Sequence, residues 1–155
     1  MIHICLTFND KFAVPAQVLI SSILLNSGRD DQFTFYILGD ELENKTKDDI
    51  EKLNKIKPFD LRYINVDKSE FQNFYLPEQG HFRQVNYFRI KIPALIPELD
   101  KILYLDCDTI VRTSLRPLFE IDIEDYYLAA TKAVTSYKNN IRLGTIRFMK
   151  PFHDK

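Results

Sequence analysis

Two carboxylates one residue apart, Asp106 and Asp108, close the apolar run Ile102 to Leu105, and further apolar residues follow to Val111. A short apolar run bounded in this way reads as a buried strand, so both acids fall at its carboxyl end. Carboxylates are seldom buried unless they are paired or hold a metal. The carboxyl ends of strands are also where α/β sheets bind ligands. Carboxylate oxygens suit Mg²⁺ or Mn²⁺, commonly held by one or two such groups plus substrate phosphates. The spacing therefore predicts a metal–phosphate site. It also fits a turn-and-cap pair at a strand end, and the local pattern leaves that reading open.

The elements that must position these acids alternate along the chain. Ile2 to Phe8 reads as a first buried strand, broken by Asn9-Asp10. Val14, Val18, Leu19, Ile23 and Leu24 have helical spacing up to Asn26, and Ser27-Gly28 places a glycine at the usual cap site. Phe33 to Leu38 and Leu61 to Val66 read as strands. Between them Thr46-x-x-Asp49 resembles a capping box opening a helix to about Ile56. Phe71 to Gln84 reads as a long loop, Tyr87 to Leu95 as a helix despite Pro93, and Tyr127 to Thr131 as a further strand. This order predicts an α/β fold, a mostly parallel sheet with helices on both faces. No G-x-G-x-x-G follows the first strand, so a dinucleotide fingerprint has no support.

Composition narrows the classes. A chain of 155 residues fits one domain, taken as 1–155, and can bury a core. Hydrophobic content of 45% argues against disorder. With 21 basic and 22 acidic residues, bulk charge offers nothing to nucleic acid. Cys5 and Cys107 both lie in apolar runs, which suits reduced thiols and a cytoplasmic setting. The N-terminus enters an apolar run with no basic region, so no signal peptide is expected. No stretch has the length of a membrane span. Nothing in the sequence sets an oligomeric state.

Leu103-Tyr-Leu-Asp-Cys-Asp-Thr-Ile-Val111 resembles the metal-binding motif of glycosyltransferase family 8, which includes glycogenin and bacterial lipopolysaccharide galactosyl- and glucosyltransferases. Thr7-Phe-Asn-Asp-Lys-Phe12, Asn86-Tyr-Phe-Arg89, Ser114-Leu-Arg-Pro-Leu-Phe119 and Tyr126-Tyr-Leu-Ala-Ala130 resemble other family motifs in order and spacing. The resemblance implies a nucleotide-diphospho-sugar transferase (GT-A) fold. It implies transfer of a hexose, galactose or glucose, from a UDP-sugar to a glycan or lipopolysaccharide acceptor, with retention and with Mn²⁺ or Mg²⁺. Asp106 and Asp108 would hold the metal against the diphosphate, with Cys107 between them. Thr7, Phe8, Asn9, Lys11 and Phe12 would line the uridine site, Phe12 stacking on the base. Arg89 and His81 would lie near the donor sugar or its phosphates. The acceptor class would extend the cytoplasmic setting to the inner face of the membrane. No residue is singled out as catalytic.

Asn9 and Phe12 replace residues that are often acidic and Tyr in the family. Only 47 residues follow Asp108 (155 − 108), and family elements that supply acceptor contacts and a third metal ligand find no match there. The expectation is a truncated donor-binding part that transfers poorly. A binding remnant without turnover is the chief alternative. A haloacid-dehalogenase-type phosphatase, which also uses Asp-x-Asp after a strand, is a minor one.

Overall fold

The computed structural model describes residues 1–39, 42–75 and 84–131, together with the backbone of strand 146–149. The chain divides into two compact units, Met1–Phe119 and Glu120–Lys155. In the first, β1 (Ile2–Thr7), β2 (Phe33–Gly39), β3 (Asp60–Asn65) and β4 (Leu103–Tyr104) form one sheet in the order β3-β2-β1-β4. All three pairings are parallel. In the second, β5 (Leu128–Thr131) pairs antiparallel with β6 (Ile146–Met149).

Side chains alternate across a strand, so each strand feeds both faces of the sheet. Ile4, Leu6, Phe33, Phe35 and Ile37 point to one face and are covered by helix α1 (Ala13–Leu25) through Ala16, Leu19, Ile20, Ile23 and Leu24. Cys5, Tyr36 and Leu38 point to the other and meet Phe71, Phe88, Ile92 and Ile96. Burying one such side chain stabilises the fold by roughly 1.5–3 kcal/mol. Both faces are thus covered, as the alternating pattern predicts.

Three local expectations change. The capping box at Thr46 does not form. Helix α2 (Asn44–Glu51) starts two residues earlier, and Thr46 Oγ1 donates to Asp10 Oδ1 at 2.6 Å. Asp49 pairs with Lys52 instead. Gly28 is not a left-handed cap. The Lys57 ammonium closes that end of α1, donating to Ser27 Oγ, Gly28 O and Arg29 O at 3.2, 2.6 and 3.2 Å, where a cation complements the helix C-terminus. The expected helix from Tyr87 is a 3-10 segment (Gln84–Lys91) followed by α3 (Ile92–Leu95). Pro93 sits in the first turn of α3, where its missing N–H costs little. The expected loop starts at Phe71, the buried last residue of a 3-10 turn (Lys68–Phe71), and residues 76–83, with His81, lie outside the described residues.

Gly39, the last residue of β2, has a packing reason. A Cβ there would come within 2.6 Å of the Phe8 carbonyl oxygen. Its bare backbone lets the chain leaving β1 pass close by.

Candidate functional site

The sheet order reverses at β1. The chain runs outward through β2 and β3, then returns to place β4 on the opposite side of β1. The crevice at the carboxyl ends of β1 and β4 is therefore the switch point where open α/β sheets bind ligands. Thr7 to Phe12 and Asp106 to Asp108 leave the sheet at these two ends. Residues about a hundred positions apart in the chain are brought together by one pairing, Ile4 with Leu103 and Cys5 with Tyr104.

The turn after β1 is held by its own side chain. Asn9 Oδ1 accepts from the Lys11 amide at 3.1 Å, and Asn9 O accepts from the Phe12 amide at 2.8 Å. This is the Asx arrangement that strand-to-helix turns favour. Asp10 is engaged at the start of α2. Its Oδ1 accepts from Thr46 Oγ1 and, at 3.2 Å, from the Glu43 amide, so it tethers the turn to the start of α2. Lys11 is exposed, and Phe12 is 50% exposed with no place in either core cluster. Phe12 therefore does not anchor the core. Phe8, by contrast, is 2% exposed and packs in the core. Only its backbone is left to face a ligand.

The segment after β4 turns at once. Thr109 donates through its amide and its Oγ1 to Asp106 O, at 3.3 and 2.7 Å. Asp106 and Asp108 are both exposed, contrary to the buried-carboxylate argument. Cys107 between them turns inward. Its thiol donates to Thr7 O at 3.6 Å, and burial pushes its pKa up to about 12. It is a neutral strut between the two strand ends, and only its backbone remains for a ligand. Cys5 is likewise buried, unbridged and pushed by burial up to about 12.

Arg89 reaches this place from the 3-10 segment on the second face. Its Nη2 lies 3.3 Å from Asp106 Oδ1, its Nε donates to Asn86 O at 2.8 Å, and its guanidinium sits 4.5 Å from the Tyr104 ring centroid. Tyr104 also touches Thr7 and Asp106. Sequence reading took it for an ordinary strand residue. Its only signal was a polar tip two residues before an acid, on the same side of the strand.

The donor set fits a hard divalent cation. Two exposed carboxylates at one turn supply oxygen ligands, and an arginine stands beside them for phosphate oxygens. Among the described residues no third His, Cys, Asp or Glu joins the pair. Water and phosphate oxygens would have to complete the shell, as is usual for Mg²⁺.

Similarity to known proteins agrees with this geometry. Residues 3–151 match the model of glycosyl transferase family 8. A Haemophilus influenzae protein is 32% identical over 126 residues, covering 80% of this chain and 37% of its own length. Glycosyltransferase GlyF of Streptococcus pneumoniae is 28% identical over 135 residues, covering 87% of this chain and 32% of its own. The galactosyltransferase LgtC, solved with donor and acceptor sugar analogs, superposes with a TM-score of 0.72 at 26% identity, over 81% of this chain and 45% of its own. The chain thus spans less than half the length of these relatives. Its sheet is of the GT-A type that LgtC shows, and the phosphatase alternative is left without support. With its sequence matched almost end to end by one family model and its fold shared with a member enzyme, the chain belongs to glycosyl transferase family 8.

Proposed function

We propose that residues 1–155 form the donor-binding part of a hexosyltransferase domain that binds a UDP-sugar with Mn²⁺ and passes galactose or glucose, with retention, to a glycan or lipopolysaccharide acceptor. The observation that carries this reading is the convergence at the β1/β4 switch point. Tyr104 links Thr7 at the end of β1 to Asp106 at the end of β4, Arg89 lies beside Asp106, and Asp108 and the half-exposed Phe12 belong to the two segments that leave the sheet there. Phe12 offers a flat face to uracil, and Thr7, Asn9 and Lys11 border the same turn. Asp106 and Asp108 would hold the metal, and Arg89 a phosphate or the donor sugar. When bound, Mn²⁺ neutralises charge that develops on the departing diphosphate. The chain's own part is to bind and orient the donor. The likeness to GlyF and LgtC supports a glycosyltransferase, and the choice of hexose and acceptor is carried by the family alone. Among the described residues no helix is long and apolar enough to cross a membrane. We place the protein in the cytoplasm, against the inner face of the membrane where such an acceptor would be presented.

The test is calorimetric titration of UDP with and without Mn²⁺, beside release and transfer of labelled sugar from UDP-galactose and UDP-glucose. Mn²⁺-dependent UDP binding is expected. Turnover by this chain alone is expected to be slow, because orienting the acceptor hydroxyl can supply roughly 7–11 kcal/mol of the barrier and no acceptor-holding residue is assigned here. UDP binding with no sugar release under any condition would favour a nucleotide-sugar-binding module. Absence of UDP binding would reject the reading.

Phe12 gives a sharper measurement. Its exposure predicts that Phe12→Ala weakens UDP by about 1–3 kcal/mol, the scale of base–aromatic stacking, with little change in the melting curve. A core residue would behave oppositely, costing roughly 3–5 kcal/mol of stability. A cooperative melt shifted far down with unchanged UDP affinity would reject the stacking role.

A further inference from the structure

Tyr104 bridges Thr7 at the end of β1 and Asp106 at the end of β4. We infer that Tyr104 is a positioning residue, whose hydroxyl, braced by Thr7 on the neighbouring strand, commits one oxygen of Asp106 and leaves the other for the divalent cation. The inference rests on the metal–UDP reading above.

The register makes the contact. Tyr104 is paired with Cys5, so Thr7 lies two residues along on the same face, within diagonal reach of a long side chain. The phenol oxygen is 2.8 Å from Thr7 Oγ1 and 3.0 Å from Asp106 Oδ1. A phenol has one proton and a carboxylate can only accept. Tyr104 therefore donates to Asp106, and the Thr7 hydroxyl donates to Tyr104. The chain of bonds has one direction, from β1 through β4 to the acid. Arg89 approaches the same Oδ1 at 3.3 Å while its guanidinium covers the Tyr104 ring. Oδ1 thus carries both contacts, and Oδ2 carries neither. Asp106 would meet a metal through Oδ2 alone, with Asp108 supplying the other carboxylate.

The arrangement answers a physical need. The Asp106 side chain is 55% exposed and would otherwise sample several rotamers. Fixing a metal ligand beforehand reduces the ordering cost at binding, which is why groups around the ligands tune metal affinity.

The experiment compares wild type, Tyr104→Phe and Thr7→Val by UDP calorimetry across a series of Mn²⁺ concentrations and by thermal melting. Tyr104→Phe keeps the ring under Arg89 and removes only the donor. It is expected to weaken Mn²⁺-dependent UDP binding by about 10-fold, the lower end of the roughly 10–100-fold seen when groups behind metal ligands are removed. UDP binding without Mn²⁺ should stay at the wild-type level and the melting curve should scarcely move. Thr7→Val should shift the Mn²⁺ dependence in the same direction by less. A Tyr104→Phe protein that titrates like wild type overturns the inference while the metal–UDP reading stands. So does equal weakening with and without Mn²⁺, which marks a packing role. A wild-type protein without Mn²⁺-dependent UDP binding overturns both.

Discussion

Replacing Asp106 or Asp108 by alanine is expected to abolish Mn²⁺-dependent UDP binding. The cation would rest on two protein carboxylates, and among the described residues no other acid, histidine or cysteine joins them to take over. Removing either halves the protein's share of a shell that prefers charged oxygen. The loss should exceed the roughly 10–100-fold attached to groups that only support metal ligands. Both acids are exposed, so neither change removes core packing and the melting curves should overlay that of wild type. The two substitutions have different side effects. Asp106→Ala also frees Arg89 and the Tyr104 hydroxyl, whereas Asp108→Ala leaves that network whole. Calorimetry that finds equal UDP binding by wild type and both variants would refute the metal role of the pair.

The largest effect on stability is expected far from the crevice, at Asp31. This carboxylate is 2% exposed and accepts from the Gly28 amide at 2.7 Å, Ser114 Oγ at 2.9 Å and Arg116 Nε at 2.5 Å. It ties the segment that follows the metal motif back to the turn between α1 and β2. Removing one member of a buried pair costs about 3–5 kcal/mol; since the Arg116 side chain is 40% exposed and can turn to water, about 2–4 kcal/mol is expected for Asp31→Ala. For a chain of this size that corresponds to a fall in Tm of roughly 5–15 °C. Burial alone would raise the Asp31 pKa, but the Gly28, Ser114 and Arg116 donors together hold it below the usual carboxylate range. A depressed folded-state pKa adds stability above the unfolded value of about 4 and loses it as pH falls through the lower folded value. Wild type should therefore lose Tm on acidification below about pH 4, while Asp31→Asn should show a flatter acid limb. Identical acid limbs for the two proteins would show that Asp31 contributes nothing to this dependence.

The strand positions were legible in the residues themselves. Ile2 to Thr7, Phe33 to Gly39 and Asp60 to Asn65 follow apolar and β-branched runs bounded by turn residues, and that information is local. The Asp-Cys-Asp run placed two carboxylates at a strand end for the same reason. Local patterns were misread where a distant group intervened. Thr46 looks like a helix cap until Asp10, thirty-six residues earlier, takes its hydroxyl. Gly28 looks like a helix stop until Lys57 arrives from the far side of β2. Phe8 and Cys107 belong to ligand motifs by sequence, yet burial beyond the carboxyl ends of β1 and β4 turns their side chains into the protein.

The tertiary structure alone decided that β4 lies against β1. That pairing creates the switch point, sets Tyr104 between Thr7 and Asp106, and brings Arg89 over its ring. Thr7 and Tyr104 are separated by 97 positions, and a backbone register between such distant segments leaves no periodic trace in either one. It is fixed by which apolar faces can be covered together, a property of the packed sheet and not of any window along the chain.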